Sequence, residues 1–164
     1  MTNTIIRSAK PEDAEELIEI IKDVSTKHRV FDHDEFNKTV EEEKEYLSKL
    51  EDNHLFLVAI VGDKIVGWLE LFPYKSKFKR HISGLIIGII DDYQHQGIGS
   101  LFLEKAINFA KEKGIVKIST EISENNLASQ NLVTKFVFKQ EGKLEKELFI
   151  KGKFIDTLIF GKII

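Results

Sequence analysis

Two glycines stand where an amphipathic segment begins, in DDYQHQGIGSLFLEKA (Asp91–Ala106). A glycine inside a helix costs about 1 kcal/mol relative to alanine, so Gly97 and Gly99 need a compensating reason. The first amides of a helix lack intrahelical acceptors and carry partial positive charge, and glycines let an anion approach them closely. The pattern indicates a phosphate-binding turn, although tight packing of the helix on a strand would also explain it.

Two common phosphate-binding motifs do not fit this turn. Phe102 stands where a dinucleotide-binding fingerprint has its third glycine, and no Gly-Lys-Ser/Thr follows as in a P-loop. The sequence therefore disfavours a nucleotide-binding switch, which we keep as an alternative function class.

The elements around the turn follow from hydrophobic periodicity. HISGLIIGII (His81–Ile90) is apolar on both faces and predicts a central strand. The helix after the turn is expected to run from Ile98 to about Lys113, with Gly114 as its C′ residue, and VKISTEI (Val116–Ile122) predicts the next strand. Together they predict a parallel, right-handed βαβ unit. The expected buried stripe of the helix is Ile98, Leu101, Phe102, Ala106, Phe109 and Ala110.

Two helices and a first strand are predicted before this unit. Thr4–Ala9 predicts the strand, and Pro11, followed by two acidic residues, predicts the start of the first helix. A second helix is predicted from Asp34 to Leu50. The inward residues are expected to be Ala14, Leu17, Ile18, Ile21 and Val24 in the first helix, and Phe36, Val40, Tyr46, Leu47 and Leu50 in the second.

The remaining elements are a hairpin around Gly62-Asp63, a short helix from an Asn125 or Asn126 cap to about Phe136, and two strands around Gly152. The predicted order is β-α-α-β-β-β-α-β-α-β-β. This order predicts an α/β (α+β) fold, with a mixed, twisted sheet of about seven strands and helices on both faces. No linker or repeat interrupts the 164 residues, so a single domain over residues 1–164 is expected.

The composition excludes several chemistries. The chain has no cysteine, which removes disulfides, thiolate zinc sites and a cysteine nucleophile. The net charge of -3 argues against a nucleic-acid partner. Apolar runs such as Leu85–Ile90 are too short to cross a bilayer, and no signal-peptide core is present at the start. We expect a cytoplasmic protein without metal, nucleic-acid or membrane partners.

Two segments resemble the GNAT superfamily of acyl-CoA-dependent N-acyltransferases. Gln94, Gly97 and Gly99 fill the family pattern Gln/Arg-x-x-Gly-x-Gly/Ala. EISENNLASQNLVTKFVF (Glu121–Phe138) resembles the segment that follows in the family, with Ser129 at its alanine position. The residues that match this second pattern are Asn126, Leu132, Lys135 and Phe138. The predicted element order is also that of the GNAT fold.

The resemblance implies that acetyl-CoA is the co-substrate. Its pyrophosphate is expected on the main-chain amides from Gln94 to Ser100. Its pantetheine arm is expected along the strand at Ile87–Ile89, where this strand and Val116–Ile122 would splay. Asn126 would bind the arm through a hydrogen bond. The implied cofactor-binding residues are Ile87, Gly88, Ile89, Gln94, His95, Gln96, Gly97, Ile98, Gly99, Ser100, Asn126 and Ser129.

Amine acylation needs a base, because a free alkylammonium has a pKa of about 10.4. Glu121 is the first candidate base, since some ribosomal-protein acetyltransferases of the resembled family carry a catalytic glutamate at the matching spacing. Glu70, in GWLELF, is the second. His81 is a weaker candidate, and Ser83 stands where some relatives have a strand glutamate. A solvated strand carboxylate would explain Glu121 equally well.

Two residues depart from the family pattern. Val133 replaces the tyrosine that usually protonates the leaving thiolate, and Val137 replaces the glycine before Phe138. Because a thiol has a pKa of about 8.5, CoA can leave without a strong acid. The departure at Val133 nevertheless leaves a second hypothesis open, that of a catalytically weak acyl-CoA-binding regulatory module.

Residues on the acceptor side of such a fold are less specific. Trp68, Phe72 and Tyr74 alternate along one strand, and Phe31 and Phe36 lie between the first helices; ordinary core packing explains each of them. The acidic stretch VEEEKEYL (Val40–Leu47) would attract a cationic amine, or would simply form a solvated helix face. We expect an acetyl-CoA-dependent N-acetyltransferase that acts on a primary amine of a small molecule or peptide. The sequence leaves a homodimer open.

Overall fold

The computed structural model describes residues 3–28 and 37–164. The chain divides into two compact units, each built from segments that are not contiguous in sequence. Unit 1 comprises Met1–Phe72 and Ile86–Ala106, and unit 2 comprises Pro73–Leu85 and Ile107–Ile164.

Unit 1 contains three strands in antiparallel order and the helices that cover them. Strand β1 (Thr4–Ser8) pairs with β2 (Leu55–Val61), and β2 pairs with β3 (Lys64–Pro73) across the Gly62-Asp63 turn. The end of β4 (Ile82–Ile89) follows β3 in the strand order. The helical elements are a 3-10 turn at Pro11–Asp13, α1 (Ala14–His28), α2 (Val40–Ser48) and the first part of α3 (Ile98–Glu112).

The core of unit 1 lies between α1, α2 and one face of the strands. Alternating residues of β2, Phe56 and Val58, are buried with Trp68 of β3 against Leu17 and Ile21 of α1. Leu57 and Ala59, on the other face of β2, are also buried. Both faces of this strand are therefore covered.

Unit 2 contains the last strands and α4. The beginning of β4 pairs in parallel with β5 (Lys117–Ser123). Strand β7 (Lys153–Ile163) pairs antiparallel with β5 and with β6 (Lys139–Ile150), which gives the order β4-β5-β7-β6. Helix α4 (Leu127–Lys135) begins at an Asn126 cap. In residues 3–28 and 37–164, seven strands with parallel and antiparallel pairing and four α-helices confirm the predicted mixed α/β class and element order.

The second helix differs from its prediction. Asn37–Thr39 are not helical, so the predicted helix from Asp34 is wrong at its beginning. The Thr39 hydroxyl accepts a hydrogen bond from the Glu42 amide, and the Glu42 carboxylate accepts one from the Thr39 amide. This capping box satisfies the first amides of α2 and starts the helix at Val40. Phe31 and Phe36 lie outside the described residues.

The buried stripe of α3 is also shifted. Leu101 is 41% exposed, whereas Leu103 is fully buried. The stripe runs through Ile98, Phe102 and Ala106 at four-residue spacing, which puts Leu103 beside it and Leu101 outside it. Phe109 is only half-buried. The helix ends as predicted, with Gly114 at a φ of 68°.

Candidate functional site

The predicted phosphate turn is an ordered loop between β4 and α3. A 3-10 turn at Asp91–Tyr93 leads from the strand. The side-chain amide of Gln94 donates to the Ile89 carbonyl at 3.0 Å and to the Asp91 carboxylate at 3.1 Å. The main-chain amide of Gln94 donates to the Asp91 carbonyl. Gln94 therefore shapes the loop. The sequence analysis expected its main-chain amide to bind the pyrophosphate, whereas here that amide is bonded to Asp91.

The amides at the start of α3 are arranged for an anion. His95 and Gly97 have φ values of 58° and 88°, and these left-handed residues turn the chain into the helix. Among the described residues, none accepts a hydrogen bond from the amides of Gly97, Ile98 or Gly99. The Leu101 amide donates to the Gly97 carbonyl, as in a helix. His95 and Gly97 are exposed, whereas Ile98 and Gly99 are buried, so the turn is open to solvent on its Gly97 side.

The glycine at Gly97 is required by conformation and not by crowding. No atom lies within 4 Å of the position that a Cβ would occupy there. The left-handed backbone favours glycine because other L-residues pay a steric cost.

The end of β4 has an unusual surface for a central strand. Ile87 and Ile89 are only half-buried. Gly88 lies under the indole of Trp68, where a Cβ would come within 2.1 Å of the ring. Trp68 is 1% exposed, so it covers Gly88 as part of the core. The half-exposed isoleucines leave apolar surface available along the strand.

The parallel pairing of β4 is short. It joins Ile82–Gly84 to Lys117–Ser119, although both strands continue further. Beyond these residues, the structure records a side-chain bond from the Thr120 hydroxyl to the Leu85 carbonyl. The splay of the two strands that the sequence analysis expected stays a prediction.

Glu70 of β3 lies in a cluster of polar side chains. Its Oε1 atom accepts a hydrogen bond from the Tyr46 hydroxyl and lies 2.8 Å from His54 Nε2. The Tyr46 hydroxyl lies 3.4 Å from the same nitrogen. The Glu70 and His54 side chains are 13% and 10% exposed. The cluster is nearly enclosed but keeps an opening to solvent.

The neighbours of Tyr46 keep its hydroxyl protonated. Burial raises the pKa of Tyr46 far above its ordinary value, and the charges of Glu70 and Glu43 raise it further. Glu43 is 1% exposed and pairs with Lys38 at 2.8 Å. The Lys38 ammonium also lies 3.7 Å from the centre of the Tyr46 ring. The stretch Val40–Leu47 is therefore not uniformly solvated, since Glu43 is inside.

Unit 2 holds the other predicted site residues. Glu121 is exposed on β5; it lies opposite Ile159 of β7. Asn126 caps α4, because its Oδ1 atom accepts a hydrogen bond from the Ser129 amide at 3.1 Å. Asn126 keeps its side-chain NH2 group for other partners. His81 is exposed and Ser83 is buried.

The structure thus brings Glu70 and the turn together in unit 1, and places Glu121, Asn126 and Ser129 in unit 2. The sequence analysis missed His54 and treated Tyr46 only as a core residue. Tyr46 lies near the end of α2 and His54 directly precedes β2, but nothing in the sequence indicated that either residue would contact Glu70.

Two searches of the described part of the chain concern other site types. No helix there is long and apolar enough to cross a membrane. No group of three or more His, Cys, Asp or Glu side chains in residues 3–28 and 37–164 is arranged to hold a metal ion.

Known proteins resemble this chain along most of its length. Residues 16–138 match the sequence profile of the Acetyltransferase (GNAT) family. The uncharacterized N-acetyltransferase YokL from an SPbeta prophage of Bacillus subtilis is 26% identical, over 97% of this chain and 89% of its own. A GNAT-family acetyltransferase from Streptococcus pneumoniae is 36% identical, with a TM-score of 0.93 over 99% of this chain and 100% of its own.

A third structure shares the fold at lower identity. The yncA protein of Salmonella typhimurium, solved with its cofactor acetyl-CoA, is 18% identical, with a TM-score of 0.88 over 98% of this chain and 93% of its own.

Proposed function

The chain belongs to the GNAT family of acetyltransferases, and from that premise we propose that it transfers the acetyl group of acetyl-CoA to a primary amine by direct attack in a ternary complex. The family membership makes the chain an acetyl-CoA-dependent acetyltransferase. The nature of the acceptor and the residues that serve the reaction belong to the proposal.

The turn before α3 supports the donor part of the proposal. Amides of Gly97, Ile98 and Gly99 without acceptors among the described residues form a site for the pyrophosphate of CoA. The half-exposed Ile87 and Ile89 offer the adjoining strand to the pantetheine arm. Main-chain pairing with the arm would extend the sheet as another strand does.

The reaction needs three proton transfers besides the acyl transfer. One proton leaves the ammonium group, and the freed electron pair forms the C–N bond to the thioester carbonyl carbon. The C–S bond breaks, the CoA thiolate takes a proton from water, and the second N–H proton is released as the amide forms. Since the thiol pKa is about 8.5, a strong acid at the position of Val133 is not required.

Glu121 and Glu70 both remain candidate bases. The exposed Glu121 is supported by the family resemblance at its strand position. Glu70 is supported by its nearly enclosed position and its partners Tyr46 and His54. Replacement of each by glutamine separates them, because the variant that lacks the base should keep CoA binding and lose turnover near neutral pH.

The substitution Gly97→Ala tests the donor site. Alanine at a φ of 88° strains the loop that presents the amides, so we expect CoA affinity to fall about tenfold or more. Isothermal titration with CoA measures the change.

Gly114→Ala is the matched control. Gly114 also has a positive φ, and nothing lies within 4 Å of its Cβ position, so both variants carry similar backbone strain. It stands at the other end of α3. Equal losses of CoA affinity in the two variants would contradict the proposed site.

A further inference from the structure

We propose that the Oε2 atom of Glu70 binds the ammonium group of the acceptor amine, with Tyr46 and His54 as the positioning residues that hold the carboxylate. The inference rests on the proposed function, which it deepens by naming a cationic primary amine as the acceptor and Glu70 as its recognition group.

The two oxygens of Glu70 have different surroundings. Both the Tyr46 hydroxyl and His54 Nε2 contact Oε1. Among residues 3–28 and 37–164, none donates a hydrogen bond to Oε2. Glu70 Oε2 is not one of the buried side-chain atoms without a partner in the described residues, so it keeps surface that a hydrogen-bond donor from solution can reach. An alkylammonium supplies up to three N–H donors.

The charges of the cluster also favour a cation. Lys38 pairs with Glu43 at 2.8 Å, so this ion pair carries no net charge. Tyr46 stays neutral because burial and the adjacent carboxylates raise its pKa. Glu70 is therefore the carboxylate of the cluster that no lysine or arginine pairs with among the described residues. A bound ammonium group would neutralise it through a charge-assisted hydrogen bond.

The cluster already contains one ammonium group, that of Lys38. The Lys38 ammonium lies over the Tyr46 ring at 3.7 Å from its centre, a cation–π arrangement that also suits a substrate cation. The Tyr46 ring contacts Lys38, which is paired with Glu43, while the Tyr46 hydroxyl donates to Glu70.

The position along β3 connects the cluster to the donor strand. Glu70 and Trp68 are alternate residues of one strand and point to the same face, about 7 Å apart along the chain. The Trp68 indole covers Gly88 of β4, within the stretch Ile87–Ile89 proposed for the pantetheine arm. An amine on Glu70 would therefore stand near the strand that carries the thioester.

The competing explanation is that the cluster only fastens α2 to β3. In that case removal of the charge would lower stability without a selective effect on the amine. The KM values of the amine and of acetyl-CoA separate these explanations, because a purely structural role of the cluster would not change one of them selectively.

The test uses the full chain with n-butylamine, 1,4-diaminobutane and a short alanine-led peptide as acceptors. The rate of CoA thiol release at varied concentrations of each substrate gives the KM of that substrate. In Glu70→Gln we expect the KM of the amine to rise about tenfold or more, on the scale of one charge-assisted hydrogen bond. The KM of acetyl-CoA should stay within about twofold, as should its calorimetric affinity.

Glu45→Gln is the matched control. Glu45 is exposed on α2, the helix that carries Tyr46, and among the described residues its side chain pairs only with Lys49. Tyr46→Phe removes one hydroxyl and keeps the ring, so it tests the cluster even where Glu70→Gln does not fold. We expect Tyr46→Phe to raise the amine KM and to change its pH dependence, which a loss of packing alone would not do.

Each outcome decides one level of the proposal. An amine KM in Glu70→Gln within twofold of the original protein, or equal increases in both KM values, overturns the role of Glu70. Failure of the unchanged protein to acetylate any of the three amines, with CoA still bound, counts against the proposed acceptor class instead. Failure to bind CoA counts against the proposed donor site.

Discussion

Carboxylates of this protein differ in their chemistry because of their immediate neighbours. Glu43 is closed off by Lys38, and Glu121 faces solvent. Glu70 has one oxygen held by Tyr46 and His54 and a second oxygen without a recorded donor. Only the last arrangement combines a fixed orientation with capacity for a ligand. At the scale of the residue, the useful distinction is therefore the number of partners that each oxygen has.

Asp13 shows the opposite case, a carboxylate with all its capacity used by the fold. It accepts two hydrogen bonds from Arg7, at 2.6 and 2.8 Å, and one from the Lys10 amide at 2.7 Å. Burial acts to raise the pKa of Asp13, but the bonds from Arg7 and Lys10 outweigh it, so the pKa lies below its ordinary value. The ionised form therefore stabilises the start of α1.

Asp13→Asn should lower the free energy of unfolding at pH 7 by about 1–2 kcal/mol, after allowance for solvent screening. A lowered pKa means that the stabilisation is present above the unfolded-state value, about 3.9, and is lost as pH falls through the folded-state value. The difference between the two proteins should shrink at pH 3. Urea unfolding at both pH values measures it. A constant difference, or an equal loss in the exposed-site control Glu15→Gln, would refute the assignment.

Two helices in the described part of the chain are followed by a left-handed residue, and one of these residues is not a glycine. Gly114, with a φ of 68°, follows α3, whereas Val137, with a φ of 63°, follows α4. The Val137 amide donates to the Thr134 carbonyl and the Phe138 amide donates to the Val133 carbonyl. This is the Schellman motif, in which glycine is the usual residue at the position of Val137. The element keeps its geometry at a steric cost.

Val137→Gly should therefore stabilise the protein. The left-handed conformation costs a non-glycine residue about 1–2 kcal/mol, and the greater freedom of glycine in the unfolded chain offsets about 0.5–1 kcal/mol of the relief. Val137 is 66% exposed, so little burial is lost. We expect a gain of about 0.5–1 kcal/mol by thermal or urea unfolding.

Val116→Gly is the control for this gain. Val116 is also exposed, at 49%, but its φ is not positive. Glycine should destabilise the protein there, and a similar loss at both positions would show that strain at Val137 is not significant.

For the whole molecule, the donor site links ligand binding to stability. The turn before α3 and the end of β4 belong to one compact unit, with α1, α2 and the core around Trp68. A ligand that binds only the folded turn stabilises the fold that presents it. Folding and donor binding are thus measurable in one experiment.

Free CoA at a hundredfold excess over its dissociation constant should stabilise the protein by about 2.7 kcal/mol, or about 5–10 °C in Tm for a chain of this size. ATP shares the phosphates but lacks the pantetheine arm, so its shift should be much smaller. Differential scanning fluorimetry compares them. Equal shifts with CoA and ATP would contradict the role of Ile87–Ile89, because the phosphates alone would then account for binding.

Local signals predicted most of the fold correctly. Gly62-Asp63, Gly114 and Gly152 mark turns because their conformations depend on few neighbours. The start of α2 was missed, although Thr39 and Glu42 form a visible capping box, because the apolar spacing that began at Phe36 outweighed it in the interpretation. The exposure of Leu101 depends on what packs beside α3, which the sequence does not contain.

The sequence by itself determined the turn that we propose as the donor site. The glycine turn, its strand and the following helix are contiguous, so their conformation follows from local chemistry and the family pattern. Only the tertiary structure decided the Glu70 cluster. Its partners lie 24 and 16 residues away in the chain, and no periodicity relates residues on different elements. Packing of α2 against β3 brings them together, and this contact gives the two carboxylate oxygens of Glu70 different surroundings.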